Sequence, residues 1–219
     1  MAPGGRLAFG YLPGASWDIY SAAADGSSPA ESLVAGPRTE FPAGWAPNGS
    51  FVFWRSTENR GDIFYRDREG AEHAFAASAA GETAPTLSPD RHWLAFVSDE
   101  SGKREVYVRP FPTGEGRWQI SADGGIEPRW SKNGREIIYR DGELFLAVPV
   151  VAGPGIAIGR VDTLFRGPYA TSTMRAVYDV SRDGSELIIV GAASESRTLA
   201  VTLHPFEQLM AERRRTARP

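Results

Sequence analysis

Nucleophile and base pairs, metal ligands and opposed carboxylates each leave a spacing signature, and in this chain most of those signatures fail. His73, His92 and His204 lie far apart, with no HExxH and no pair at metal-ligand spacing, so they read as surface or capping side chains. There is no G-x-S-x-G elbow and no S-x-x-K, and without cysteine there is no thiol nucleophile, thiolate zinc site or disulfide. What remains is a set of carboxylates beside short apolar stretches: Glu40, Glu127 and Asp179. Brought together, they could bind a cation or act as general acid and base. Whether they meet is decided by the elements that carry them.

Those elements are short and bounded by turns. The 219 residues include 24 glycines and 16 prolines, yet 42% are hydrophobic and 11% aromatic, a composition for a β-rich core with many connections. Balanced charge, 24 basic against 27 acidic side chains, gives no footprint for nucleic acid. The longest apolar run, Leu144 to Ile158, is broken by Pro149, Gly153, Pro154 and Gly155 and is too short to span a membrane. It reads as a buried strand followed by a turn, so no membrane insertion by this chain is expected. The opening residues lack the basic and apolar regions of a signal peptide.

A repeat organises the whole chain. A bulky apolar residue, two further residues, Asp or Asn, and usually Gly precede a short β-rich run at Trp45 to Asn48, Leu87 to Asp90, Trp130 to Asn133 and Val180 to Asp183, with a degenerate copy at Gly4. The turn landmarks Gly4, Asn48, Asp90, Asn133 and Asp183 are spaced 44, 42, 43 and 50 residues apart. A second landmark keeps step: an acid, an aliphatic and an aromatic at Asp18-Ile19-Tyr20, Asp62-Ile63-Phe64, Glu105-Val106-Tyr107 and Glu143-Leu144-Phe145. Such acids recur in four of the five copies, the last placing RTLAVTLH from Arg197 there without one, which fits a structural role. Trp45 and Trp130 alternate with Leu87 and Val180, as packing between repeats requires. Each period holds four candidate strands joined by hairpin turns. A small antiparallel sheet cannot bury both its faces alone, so a period near 43 residues predicts a β-propeller.

The segments DIYSAAADGS from Asp18, APTLSPDRHWLAFVSDESGKREVYV from Ala84 and EPRWSKNGREIIY from Glu127 resemble the WD-like propeller repeats of TolB and its relatives, over roughly residues 2 to 204. The run from Tyr107 to Val150, followed by LFRGPY, YDVSRDG and LAVTLHPFEQL, is similar to the carboxy-terminal propeller of certain bacterial serine/threonine protein kinases. None of the kinase's own motifs is present. These resemblances imply an all-β propeller with a bacterial, extracytoplasmic or cytoplasmic setting depending on its parent protein.

The expected organisation is a propeller over residues 1–204, with blades near 2–41, 42–83, 84–126, 127–174 and 175–204, then a short amphipathic helix and basic tail over 205–219. The first blade should have three strands, the next three blades four each, and the last three. TolB-like propellers usually have six blades. The expectation is therefore a ring that lacks a segment, or that associates with itself through an open strand edge; a five-bladed ring with a frayed first blade is the rival. The functional expectation is a propeller that binds a protein or peptide, is not an enzyme and needs no cofactor. The alternatives are a hydrolase or lyase using axial carboxylates such as Glu127 and Asp179, or the gating propeller of a prolyl-oligopeptidase-like enzyme.

Overall fold

In a computed structural model of the chain, residues 4–57, 60–181 and 186–190 are described, together with the strand 201–205 as backbone. They form five antiparallel sheets in chain order and no helix. Blade 1 consists of β1 (Arg6–Tyr11), β2 (Asp18–Ala23) and β3 (Glu31–Val34). Blade 2 consists of β4 (Glu40–Trp45), β5 (Phe51–Ser56), β6 (Gly61–Arg66) and β7 (Glu72–Ala76). Blade 3 consists of β8 (Glu82–Leu87), β9 (Trp93–Ser98), β10 (Glu105–Pro110) and β11 (Trp118–Gln119). Blade 4 contains β12 (Ile126–Trp130), β13 (Glu136–Asp141), β14 (Leu144–Ala152) and the outer strand β16 (Asp162–Arg166), with β15 (Ile156–Ile158) folded back on the end of β14. Blade 5 consists of β17 (Tyr178–Val180), β18 (Glu186–Val190) and β19 (Val201–Pro205).

The all-β propeller architecture and its strand pattern are as the repeat predicts. The β14–β15 hairpin is not; it uses Val150 to Ala152 paired with Ile156 to Ile158, beyond the length of strand that the blade itself needs. Pro205, expected to open a helix, instead ends β19 opposite Glu186. Residues 206–219, where that helix and the basic tail were placed, lie outside the described residues, as does Asp183.

Strand alternation explains the core. In β9, Trp93, Ala95 and Val97 face blade 4 while Leu94 and Phe96 face blade 2, so this strand is buried on both sides. Four apolar clusters each join two consecutive blades: Ile19 and Val34 with Phe51 and Phe53; Val52 and Ile63 with Leu94 and Phe96; Val106 and Val108 with Ile137 and Val148; and Ile138 and Phe145 with Tyr178 and Leu187. Each fully buried Phe, Leu or Ile contributes about 1.5–3 kcal/mol. Blade 1 is buried on one face only. On the other, Leu7 and Tyr11 are each 52% exposed. Gly5 O accepts a bond from Ala24 N, so odd-numbered residues of β1 bond to β2, and Arg6, Ala8 and Gly10 point their backbone groups away from it.

The turns follow the repeat. Asn48, Asp90 and Asn133 each accept a bond from the amide two residues on, Ser50, His92 and Arg135, at 2.9–3.1 Å. The next residue takes a left-handed conformation, with φ of 85° at Gly49 and 70° at Gly134, and Arg91 adopts it at 61° without being glycine.

Candidate functional site

The innermost strands β4, β8, β12 and β17 run side by side, so residues at one register position surround the axis. Their leading ends carry Glu40, Glu82 and Glu127, and their trailing ends carry Trp45, Leu87, Trp130 and Val180. The position just before each trailing residue is Gly44, Thr86, Arg129 and Asp179 in turn. Together with Arg91 and Lys132 from the following turns, these four line a cavity of about 400 Å³ at the trailing mouth, beside Trp45 and Trp130.

Charge at this mouth is unequal. Asp179 Oδ1 lies 3.8 Å from Arg129 Nε and 3.9 Å from Lys132 Nζ, with its side chain 63% exposed. Three cations therefore face one carboxylate in a protein whose net charge is −3. Pairs this long and this wet are each worth at most about 1 kcal/mol, so the acid does not neutralise the mouth. Trp130 is buried and donates its indole N–H to Thr86 O at 3.2 Å, tying blade 4 to blade 3. Trp45 packs on Phe51 in a tilted ring contact, centroids 4.7 Å apart, and remains half-buried. Leu87 is half-buried and Val180 buried, so all four repeat positions serve packing between blades.

Glu127 and Asp179 do not share a pocket. Glu127 is fully buried, and its carboxylate accepts bonds from Ser172 N at 2.6 Å and Val177 N at 3.2 Å, with Arg140 4.0 Å away. Arg140, equally buried, donates to Ala170 O at 2.5 Å and to Gly142 O and Tyr169 O at 3.1 and 3.2 Å. Tyr178 Oη donates to Glu127 O at 2.7 Å and lies 3.0 Å from Ile138 O. These bonds fasten the segment between blades 4 and 5 to the inner strand. Burial raises the Glu127 pKa, opposed by the Ser172 and Val177 amides and by Arg140. Glu127 has φ of 56° ahead of Pro128, as Ala84 has 50° ahead of Pro85, because β12 and β8 both bulge there. Glu40 is also buried, paired with Arg55 Nε at 2.9 Å, and its pKa is likewise raised, chiefly by burial. Counted from the trailing residue, Glu40, Glu127 and Asp179 stand five, three and one positions back, so the sheet register keeps them apart.

Sequence reasoning missed Arg91, Arg129 and Lys132. The usable signal was the change from Gly44 and Thr86 to Arg129 at a single repeat position, visible only once the inner strands are aligned on their trailing residues. His73 bonds Asp67 at 2.7 Å and stacks on Tyr65, and His92 is exposed in its turn. No group of three or more His, Asp or Glu among the described residues is placed to hold a metal ion.

No family model and no curated protein sequence matches the chain. Solved structures do match in fold. TolB from Acinetobacter baumannii superposes with a TM-score of 0.69 at 20% identity, over 93% of this chain and 51% of its own. A propeller in the nidogen/laminin complex gives 0.62 at 12% identity, over 88% and 69%. An oligogalacturonate lyase in complex with manganese gives 0.55 at 14% identity, over 94% and 61%. The chain thus has the fold of the TolB-like β-propellers and spans about half the length of the Acinetobacter protein.

The expectation that the chain is not an enzyme does not stand. Alongside the lyase, a puromycin hydrolase and a gluconolactonase from Xanthomonas campestris share this fold. One fold hosts binding proteins and enzymes alike, because function resides in the site carried on it and not in the architecture.

Proposed function

We propose that this propeller binds an acidic peptide segment of a partner protein at the trailing mouth of its inner strands. The observation that carries the reading is the convergence of Arg91, Arg129 and Lys132 from two blades on a cavity that contains one acid, Asp179. In a chain of net charge −3 such a patch is a local exception, and it steers a negatively charged ligand to one place. Half-buried Trp45 at the rim supplies an apolar contact beside the charges. The similarity of residues 107–150 to kinase-linked propellers supports a sensory or interaction role, with binding at this mouth as the sensed event.

The test is fluorescence anisotropy with a labelled hexaglutamate peptide. Binding should weaken with added salt and should fall by about tenfold or more in the double variant Arg129→Ala, Lys132→Ala, equivalent to about 1.4 kcal/mol. Asp179→Asn should strengthen it. Absence of binding, or equal affinity in the double variant, rejects the assignment.

A further inference from the structure

Two breaks between neighbouring blades meet in one cavity between blades 1 and 2, at the other end of the inner strands from the basic mouth. The first concerns the glutamate that opens an inner strand. In blade 3, Glu82 Oε1 accepts a 2.6 Å bond from Ser78 Oγ and Oε2 a longer one from Ser78 N. Glu40 holds the same place in blade 2, but four residues before it stands Gly36. Glu40 Oε1 is bonded to Arg55, and Oε2, on a side chain only 1% exposed, has no partner. Arg55 cannot turn toward it, because Glu72 holds its two other nitrogens at 2.7 and 3.2 Å and the guanidinium lies 5.1 Å over both Phe53 and Phe64.

The second break concerns the acid that opens the third strand. Asp18 accepts a bond from Gly36 N at 3.4 Å and Glu105 one from Gly124 N at 3.1 Å, in each case the amide of the crossover to the next blade. Counted from the acid rather than from the inner strand, the amide that corresponds for Asp62 is Gly81 N, 19 residues on as Gly124 is from Glu105, and it bonds Asp99 Oδ1 at 2.8 Å instead. Asp62 Oδ1 is left buried without a partner, as is Thr57 Oγ1. All three orphaned oxygens belong to residues lining one cavity of about 470 Å³, whose charged residues are Glu40, Asp62 and Glu72 against Arg38 and Arg55. Unpaired acceptors of this kind are costly to bury and call for a donor. Both Glu72 oxygens are taken by Arg55, and the two remaining carboxylates with one hydroxyl offer fewer than the six to eight oxygens that calcium takes.

We propose that this cavity binds a cationic nitrogen group, the ammonium or guanidinium of a basic side chain or of a free amine. The bound group donates to Glu40 Oε2 and Asp62 Oδ1, in the places filled by Ser78 Oγ in blade 3 and by the crossover amide in blades 1 and 3. The assignment is independent of the reading of the trailing mouth.

Gly36→Ser tests it by supplying the donor from within. Gly36 has no left-handed backbone, and an added Cβ meets only Glu40 Oε1, at 3.4 Å, so a serine fits. Agmatine and an end-blocked Gly-Arg-Gly peptide are titrated into ¹⁵N-labelled protein, following the amides of Gly36, Thr57 and Asp62. Saturable shifts are expected at up to about millimolar probe, weakened by about tenfold or more in both Gly36→Ser and Asp62→Asn. The thermal midpoint of Gly36→Ser should equal or exceed that of the wild type, so that lost binding is not lost folding. Tighter binding of the peptide assigns the site to a partner's side chain, and tighter binding of agmatine to a free amine. No saturable shift with either probe, as for a cavity holding water only, overturns the proposal. So does unchanged affinity in Gly36→Ser.

Discussion

Glu127→Ala separates a structural carboxylate from a functional one. Blade 3 already carries alanine at the equivalent bulge, Ala84 with φ of 50° against 56° at Glu127, so the substitution leaves the backbone conformation as it is. What it removes is the acceptor for Ser172 N and Val177 N and the counter-charge beside Arg140. Hydrogen bonds to a charged group contribute about 1.5–3 kcal/mol each, and water entering the space left behind recovers part of that, so the expected loss is about 3 kcal/mol. For a protein of this size that lowers the thermal midpoint by about 6–12 °C. Urea unfolding followed by tryptophan fluorescence near neutral pH should show a lower midpoint with an unchanged slope. Hydrogen exchange at Ser172 and Val177 should accelerate more than at Ile137, which sits in the β13 core. A loss below about 1 kcal/mol, or a gain in stability, refutes the reasoning, since relief on removal is what a carboxylate held for ligand or catalysis would show.

Tyr178→Phe should cost about 1–1.5 kcal/mol in the same unfolding experiment, because it deletes only the hydroxyl that bonds Glu127 O inside a filled core. Gly61→Ala should cost about 3 kcal/mol, since a Cβ there would lie 1.8 Å from Trp54 Nε1 and displace the indole from its 2.9 Å bond to Glu82 O; a neutral result would show that Trp54 moves freely. Stability should also depend on pH in a defined sense. Glu40, Glu82 and Glu127 all titrate above 4.5, first because burial penalises the carboxylate. The folded chain then keeps protons that the unfolded chain has released, so their contribution is complete below about 4.5 and is lost as pH rises through the folded values. Asp25 and Asp67, shifted down from 3.8, act only at lower pH. The urea midpoint should therefore fall from mildly acidic to neutral pH, and Glu82→Gln should flatten that fall; a rise over this range contradicts the burial of these groups.

The blades were legible because their roles repeat. A turn that needs an Asx side chain followed by a left-handed residue leaves the same mark at Asn48, Asp90 and Asn133, and a strand buried on both sides reads as unbroken hydrophobicity in WLAFVS. The β14–β15 hairpin was not legible. Pro149, Gly153 and Pro154 signalled only that the strand ends, whereas the return of Ile156 depends on a place against blade 3, where Gly155 meets the Trp118 ring. The candidate site was legible in part. Asp179 lies at the mouth of the inner strands, but Glu40 and Glu127 were grouped with it because all three are acids near inner strands. Their separation is set by register, which changes with each bulge.

Register also explains where chemistry specific to this chain has to be sought. A residue type that recurs at one position across blades is held there by packing or capping where it is buried, as Asp18 and Glu105 are by the crossover amides they satisfy. Asp62 keeps the residue type and loses the amide, because Asp99 takes the bond from Gly81. Gly36 stands where Ser78 serves Glu82, and Glu40 keeps its charge without that donor. At the trailing mouth the reverse holds: Arg129 and Asp179 occupy a position that is Gly44 in blade 2, adding charge where the architecture asks for none. Orphaned acceptors at one end and surplus cations at the other are both departures that stability alone does not require, and they favour ligands of opposite sign. The two sites share no lining residue, so mutations at Arg129 and Lys132 should leave agmatine binding unchanged, and Gly36→Ser should leave hexaglutamate binding unchanged. Cross-effects between the two titrations would show that the ends are coupled through the inner strands rather than independent.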